Sequence, residues 1–317
     1  MLSASIMCED DAVIATNDDA ALCKRYAVAK GYWSDPYIEY FIKSTSERKA
    51  PEISRGYYAR VMGMKILLDQ FLTTTNYNCQ VINIGAGFDT LYWRLKDENV
   101  SLKSFIEVDL PPVTSRKCYI IRNRKNLLRM VATEDDDIQF SSCELHAGEY
   151  HLVGADIRNT GELETKLLSG LVDTSLPTVF LAECVLVYNE EHLTSALLKW
   201  VAEHFRTALF VTYEQVNMGD KFGSVMIENL KKRGCNLAGV SVCSDLESQR
   251  RRFTSAGWDG AKAWDMMEVY QHLPSPDVDR VEHLEFLDEQ ELLQQLLQHY
   301  CITVAYRGES LEDIGFN

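Results

Sequence analysis

No run of apolar residues in this sequence approaches the ~20 that a membrane-spanning helix needs. Residues 1–17 contain no Lys or Arg, and their apolar stretches are too short for the hydrophobic part of a secretory signal. These absences argue against membrane insertion and against secretion. We therefore expect a cytoplasmic protein that does not act on a membrane.

The cysteines and histidines lack the spacing of a metal site. Nine cysteines are scattered along the chain, no two of them form Cys-x-x-Cys, and there is no His-Glu-x-x-His segment. An odd number of cysteines without regular spacing also disfavours a disulfide framework. We predict reduced, partly buried cysteines and no bound metal.

Basic residues are too few to balance the acidic ones, with 32 Lys and Arg against 47 Asp and Glu and a net charge of −15. A polyphosphate chain gains no long-range attraction from such a surface, so DNA and RNA are disfavoured as partners. Within the basic stretch 116–129, Arg122, Lys125 and Arg129 would share one helical face. That arrangement is more typical of a solvated surface than of a nucleic-acid site.

What is present, 317 residues of which 46% are apolar, is typical of one large globular core with additions. Residues 1–17 are acidic and aperiodic, which predicts a disordered tail followed by a single domain over 18–317. Between 18 and 78 apolar residues recur at helical spacing, most clearly from Tyr57 to Phe71. This segment predicts a helical N-terminal cover that precedes the first strand.

From residue 81 onward short apolar runs alternate with helical stretches, the pattern of an α/β fold with a mostly parallel sheet. The segment 214–283 is too long for a simple crossover, and it predicts an insertion. A helical stretch and the strand Cys301 to Tyr306 close the chain.

Ligands of parallel sheets bind beyond the carboxyl ends of the strands. The first such end carries Gly85-Ala86-Gly87 and lacks the third glycine of a dinucleotide fingerprint, because Thr90 stands at that position. Two glycines let a ligand approach the backbone, and the helix start that follows offers free N–H groups, which suits a nucleoside bearing a carboxylate. Tight packing alone is an equally good interpretation of this turn.

Asp109 stands 24 residues after Gly85, at the tip of the second apolar run. A carboxylate at that place can accept hydrogen bonds from both hydroxyls of a ribose, so we favour ribose binding. The alternative is an acid that caps the Pro111-Pro112 turn.

Two further strand ends carry acids. Asp156 can accept from the amino group of adenine while Ile157 packs on the ring, and a helix cap is an equal alternative. Glu183 interrupts an apolar run, where an unpartnered carboxylate would cost several kcal/mol, so it predicts a nearby cation. That cation is either a core side chain or the ammonium of a ligand. Lys24 and Arg60 both lie in the helical cover. From spacing alone, each would be interpreted as a solvated surface residue.

Several segments together resemble the leucine carboxyl methyltransferase family, and the matches run from about Cys23 to Tyr306. They are GYWSDPY at 31–37, KAPEI at 49–53, RGYYAR at 55–60, the glycine turn at 85–87, FIEVD at 105–109, AECVLVY at 182–188 and YEQVNMGD at 213–220. The sequence departs from the commonest class I methyltransferases at Asn83, where those enzymes carry an acid.

The resemblance implies a Rossmann-like class I methyltransferase that uses S-adenosyl-L-methionine, with a mostly parallel seven-stranded sheet and an insertion before the last two strands. It implies methyl esterification of the C-terminal leucine carboxylate of the protein phosphatase 2A catalytic subunit, which regulates phosphatase assembly. We expect a monomer. By motif position the resemblance assigns cofactor binding to Lys24, Arg60, Gly85, Asp109, Asp156, Ile157 and Glu183.

This chemistry needs neither a nucleophile nor a general base, because a sulfonium leaves without an acid and an α-carboxylate of pKa ~3.5 is already ionised. The protein must supply approach geometry and a dry site. Arg60 and Lys24 would hold the carboxylate of the cofactor or orient that of the substrate. Tyr188 is a candidate hydroxyl donor to the acceptor, so Tyr188 and Arg60 are the candidate catalytic residues. Selectivity would come from the 214–283 insertion and the N-terminal helices.

Four alternatives remain at this stage. A small-molecule O-methyltransferase would use the same cofactor residues but needs a base for a hydroxyl acceptor. A noncatalytic scaffold for phosphatase assembly would retain the fold without the reaction. A carboxyl methyltransferase acting on a modified tRNA base is disfavoured by the acidic charge and by the lack of a repeat-built second domain. A nicotinamide dehydrogenase ranks last because of Thr90.

Overall fold

The computed structural model describes residues 9–132 and 138–316. Its strands are β1 Gln80–Ile84, β2 Ser104–Asp109, β3 Gln139–Phe140, β4 Leu145–Ala147, β5 Tyr150–Gly154, β6 Thr178–Glu183, β7 Ala208–Gln215, β8 Gly260–Asp265 and β9 Tyr300–Arg307. Within these ranges the strands form one sheet in the order β3-β4-β5-β2-β1-β6-β7-β9-β8.

The centre of the sheet is parallel, as the alternating pattern predicted. Strands β5, β2, β1, β6 and β7 run parallel, while β9 is antiparallel to both β7 and β8. The α/β class is confirmed, but the described sheet has nine strands instead of seven. The two extra strands arise because residues 139–147 fold back antiparallel along the edge of β5.

Helices cover both faces of the sheet. They are α1 Glu9–Ala29, α2 Ile38–Phe41, α3 Pro51–Thr74, α4 Leu91–Asp97, α5 Pro111–Asn123, α6 Lys125–Val131, α7 Thr160–Leu167, α8 Glu191–His204, α9 Lys221–Lys232, α10 Leu246–Thr254, α11 Met266–Gln271, α12 Ser275–Glu282 and α13 Gln290–Gln298. Because the central strands are buried on both faces, they read as continuous apolar runs in the sequence. Among the helices described here, none combines the length and the apolarity that crossing a bilayer requires.

The prediction of a disordered tail over 1–17 is wrong for residues 9–17, which belong to α1; residues 1–8 lie outside the described part. Helix α1 packs on α3 and forms ion pairs with three other parts of the chain. These pairs are Asp10 with Arg158, Asp18 with Arg116 and Asp19 with Arg233. Asp10, one of the acids that suggested a disordered tail, therefore helps to hold a helix whose stability comes from tertiary contacts. The acidic run 134–137, whose composition predicts a solvated loop, also lies outside the described part.

The predicted insertion over 214–283 is too long at its C-terminal end. It contains β8, a strand of the sheet, so the segment that intervenes between β7 and β8 spans 216–259 and carries α9 and α10. Strand β8 is an edge strand whose residues are mostly half-exposed. An edge strand needs few apolar residues, which explains why the apolar pattern did not predict it.

Candidate active site

A cavity of about 710 Å³ lies beyond the carboxyl ends of β1, β2, β5 and β6. This volume is within the range of small-molecule sites. Residues of α1 and α9 form the walls opposite the strand ends. The structure brings every site residue predicted from the sequence to this cavity: Lys24, Arg60, Gly85, Asp109, Asp156, Ile157, Glu183 and Tyr188.

The glycine turn after β1 is shaped by both of its glycines. Gly85 and Gly87 have φ values of +63° and +50°, in the left-handed region that favours glycine. A Cβ atom at Gly85 would overlap the side chain of Val185, and one at Gly87 would overlap that of Asn17. Both glycines also line the cavity. The turn is therefore tightly packed, and it also borders the cavity.

Asp109 joins the ends of β1 and β2. Its Oδ2 accepts a hydrogen bond from the Gly87 N–H over 2.7 Å, and its Oδ1 accepts one from the Leu110 N–H over 2.7 Å. Burial raises the pKa of this carboxyl, while the two N–H groups act in the opposite direction. Each oxygen keeps a second lone pair that a hydroxyl at the cavity wall can use. The carboxylate thus orders the turn and remains an acceptor.

Asp156 is part of a chain of charges that ends on α1. Its carboxylate accepts from Arg158 Nε over 2.8 Å, and Arg158 also donates to Asp10 over 2.9 Å. The helix that follows is capped by Asn159 instead of by Asp156. The helix-cap alternative for Asp156 is therefore wrong, although a local ion pair uses part of its acceptor capacity. Ile157 lies beside it on the cavity wall.

Glu183, at the end of β6, has the cations that its position predicted. Arg60 Nε donates to Glu183 Oε2 over 2.5 Å, and Lys24 Nζ lies 3.7 Å from the same oxygen. Burial opposes ionisation of Glu183, but Lys24 and Arg60 outweigh it and hold the pKa of Glu183 below its usual value. Lys24, Arg60 and Glu183 thus form a charged cluster at the cavity wall.

Arg60 is buried, so its default interpretation as a solvated residue is wrong. The residue is 8% exposed, and its guanidinium lies 4.7 Å from the ring centroid of Tyr213 and 5.6 Å from that of Tyr57. The aromatic faces favour a cation at this place. Hydrogen bonds from Nε to the Glu183 carboxylate and from Nη2 to the Glu183 carbonyl orient the guanidinium.

Tyr188 closes the 3₁₀ turn Leu186–Tyr188 that follows β6, and its side chain lines the cavity. Burial raises the pKa of Tyr188 above its usual value. The hydroxyl therefore keeps its proton at neutral pH and can donate a hydrogen bond into the cavity.

Sequence reasoning missed Asp89, which lines the cavity directly after the glycine turn. Burial raises its pKa, but Lys24, Arg94 and Lys117 outweigh burial and keep the pKa far below its usual range. Asn83 Nδ2 donates to Asp89 Oδ2 over 3.0 Å. Asn83 stands where the commonest class I methyltransferases carry an acid, and here Asp89 places a negative charge beside it. The signal in the sequence was an acid within the turn that leads into α4.

The sequence analysis expected the insertion to contribute to the site but did not name the residues of the cavity wall that it supplies. Phe222, Val225 and Met226 of α9 and Tyr300 of β9 give the side toward α9 an apolar and aromatic lining. Among the described residues, no group of three or more His, Cys, Asp or Glu side chains is arranged to hold a metal ion.

The sequence of this chain is similar to those of known proteins. A family model described as leucine carboxyl methyltransferase matches residues 12–202. The sequence is 49% identical to leucine carboxyl methyltransferase 1 of Bos taurus over 304 residues, which covers 95% of this chain and 92% of that protein. It is also 36% identical to tRNA wybutosine-synthesizing protein 4 of Homo sapiens, covering 95% of this chain but only 45% of that protein.

A solved structure of a candidate methyltransferase from Thermobifida fusca YX has a similar fold. The TM-score is 0.52 at 13% identity, and the match covers 93% of this chain and 94% of that one. At this identity the likeness concerns the fold alone.

Proposed function

The chain belongs to the leucine carboxyl methyltransferase family, and on that premise we propose that it transfers the methyl group of S-adenosyl-L-methionine to the α-carboxylate of a C-terminal leucine. The observation that carries the proposal is the cavity at the strand ends, where Asp109 faces the glycine turn and Glu183 faces Lys24 and Arg60.

The residues present fit this methyl donor. A nucleoside needs a backbone that can be approached closely and an acceptor for its ribose hydroxyls, which Gly85 and Asp109 supply. The methionine end of the donor carries an ammonium and a carboxylate. The cluster of Lys24, Arg60 and Glu183 offers partners for both charges. Asp156 and Ile157 would face the base. The donor supplies an electrophilic methyl group on a sulfonium.

The residues of this chain would bind the donor and the acceptor carboxylate, orient them toward each other and exclude water. An α-carboxylate of pKa ~3.5 is ionised at neutral pH, so no residue has to remove a proton from the acceptor. Arg60, which is held by its hydrogen bonds to Glu183, would bind the carboxylate of the donor or orient that of the acceptor. The Tyr188 hydroxyl, which keeps its proton, would donate to one oxygen of the acceptor and leave the other free to attack.

We further propose the catalytic subunit of protein phosphatase 2A as the substrate, with methylation regulating assembly of the phosphatase. The apolar wall of α9 and Tyr300 supports this, because a leucine side chain needs an apolar surface beside the charged cluster. A tail alone would bury a small area and bind weakly. We therefore expect α1 and the 216–259 segment to contact the folded phosphatase as well.

The test is transfer of labelled methyl from S-adenosyl-L-methionine to two forms of the phosphatase catalytic subunit. We expect label on the complete subunit, released by mild alkali as an ester requires, and none on a subunit that lacks its last residue. Equal labelling of both forms would rule out the terminal leucine as the acceptor, because the shortened subunit still ends in an α-carboxylate but no longer in that leucine. Equal catalytic efficiency on a free tail peptide would rule out the wider contact.

Calorimetric titration with S-adenosyl-L-methionine separates the enzyme from a noncatalytic scaffold. We expect saturable binding of one donor per chain. No heat of binding, with a folded protein, would favour the scaffold.

A further inference from the structure

Glu214 is the next-to-last residue of β7, and its side chain is fully buried. Its carboxylate accepts hydrogen bonds from three consecutive backbone N–H groups that follow β6. Oε1 accepts from Val185 over 3.0 Å and from Leu186 over 2.9 Å, while Oε2 accepts from Val187 over 3.1 Å. Hydrogen bonds to an ionised acceptor are stronger than neutral ones, so this carboxylate is the main anchor of the turn.

The turn needs an anchor because its backbone leaves the direction of the strand abruptly. Cys184 has a φ of +56°, in the left-handed region that a non-glycine residue rarely adopts. Its own N–H donates to the Tyr213 carbonyl over 2.7 Å. The residues on either side, Glu183 and Val185, both line the cavity. The conformation of this turn thus decides where two cavity residues lie.

Val185 connects the turn to the glycine turn of β1. A Cβ atom at Gly85 would overlap the Val185 side chain, so the two turns are in direct contact at these residues. Both turns line the cavity where the neighbouring strands β1 and β6 end, so their contact shapes this end of the cavity. Since Glu214 holds the Val185 backbone, it also holds the Val185 side chain against Gly85.

Arg252 supplies charge compensation for this anchor. Burial raises the pKa of Glu214, while Arg252 and the three N–H groups act in the opposite direction. Arg252 is 8% exposed, and its guanidinium nitrogens have no hydrogen-bond partner among the described residues. Burying a cation without a hydrogen-bond partner costs free energy. The negative charge of the nearby Glu214 offsets part of that cost.

We propose that Glu214 is a positioning residue for the methyl donor, which acts by fixing Val185 against Gly85 and thereby the shape of the donor end of the cavity. This inference rests on the proposed function, because it assigns the donor to that end.

The test compares Glu214→Gln, Val185→Ala and the double variant in donor binding and turnover. In Glu214→Gln the amide nitrogen faces backbone donors, so at least one of the hydrogen bonds is lost. We expect KM and Kd for S-adenosyl-L-methionine to rise about tenfold, as the loss of one ordinary hydrogen bond implies, with kcat changed less than about twofold. We expect Val185→Ala to raise the same KM about threefold to tenfold.

The double variant decides whether the two residues act along one path. If Glu214 acts through Val185, the KM of the double variant will be close to that of the more affected single variant. Effects that multiply would overturn the inference. An unchanged KM for the donor in Val185→Ala would also overturn the inference. This second measurement is informative even if Glu214→Gln does not fold.

The matched control is Gln80→Leu. Gln80 is also buried and bonds Asp173 and Thr178, but it lies at the opposite end of β1 from the cavity. We expect this variant to lower the melting temperature without changing the donor KM. A donor KM that rises in the control as much as in Glu214→Gln would show a general loss of stability and overturn the inference. If the unaltered protein binds no donor, it is the proposed function that fails.

Discussion

The side-chain oxygen of Asn17 on α1 accepts a hydrogen bond from the Phe88 N–H over 2.8 Å. This bond attaches the first described helix to the glycine turn after β1, and Asn17 itself lines the cavity. The helix that covers the proposed donor site and the turn that would hold the donor are thus linked by one side chain.

Asn17→Ala should weaken binding of S-adenosyl-L-methionine about threefold to tenfold, because the freed N–H and the gap beside Gly87 loosen the turn. Calorimetric titration measures the change. Asn123→Ala is the control, since Asn123 makes an exposed side-chain bond to Tyr119 and lies outside the cavity. Equal donor affinity in Asn17→Ala and in the unaltered protein would contradict the role of this bond.

Glu183→Gln should raise the Kd for S-adenosyl-L-methionine about 10-fold to 100-fold. The substitution removes the charge that pairs with Arg60 and Lys24, and the ammonium of the donor loses an ionised acceptor. Glu285→Gln is a matched control, because Glu285 is a partly buried carboxylate that bonds Tyr26 and Tyr32 away from the cavity. Donor binding that is weakened equally in both variants would argue against a local role for Glu183.

Tyr188→Phe should lower kcat about tenfold while the KM for S-adenosyl-L-methionine stays unchanged, because the lost hydroxyl would contact the acceptor and not the donor. Steady-state rates with the complete phosphatase subunit measure this. Unchanged turnover would remove Tyr188 from the candidate catalytic residues.

Stability should fall on acidification through the titration of His151. Burial, and then repulsion by His146, lowers the pKa of His151 from 6.5 to about 4. The folded state thus disfavours the protonated ring, so the contribution of His151 is complete above pH 6.5 and is lost as the pH falls toward about 4. Because the ring is partly exposed, we expect a loss of about 1–2 kcal/mol.

Urea unfolding at several pH values between neutral and 4 measures this loss. In His151→Gln the pH dependence should be smaller by the same amount, while other acid-sensitive groups still contribute. An identical pH dependence in the variant and the unaltered protein would contradict the assignment to His151.

The features predicted from the sequence are those that local physics determines. A strand buried on both faces must be a continuous apolar run, so β1, β2, β6 and β7 could be read directly from the sequence. Because parallel strands end at one edge, Asp109 and Glu183 could be placed beside the glycine turn. For Lys24 and Arg60 residue spacing gave no signal, and only the resemblance to a family assigned them a role.

The sequence by itself determined the fold class and the side of the sheet on which the chemistry lies, since both follow from apolar runs and turns within a few residues. Only the tertiary structure decided that residues 9–17 belong to α1, that β8 joins the edge of the sheet and that Glu214 anchors the turn at Val185. The bond between Phe88 and Asn17 spans 71 residues. Such contacts depend on which segments the sheet brings together, and no local pattern carries that information.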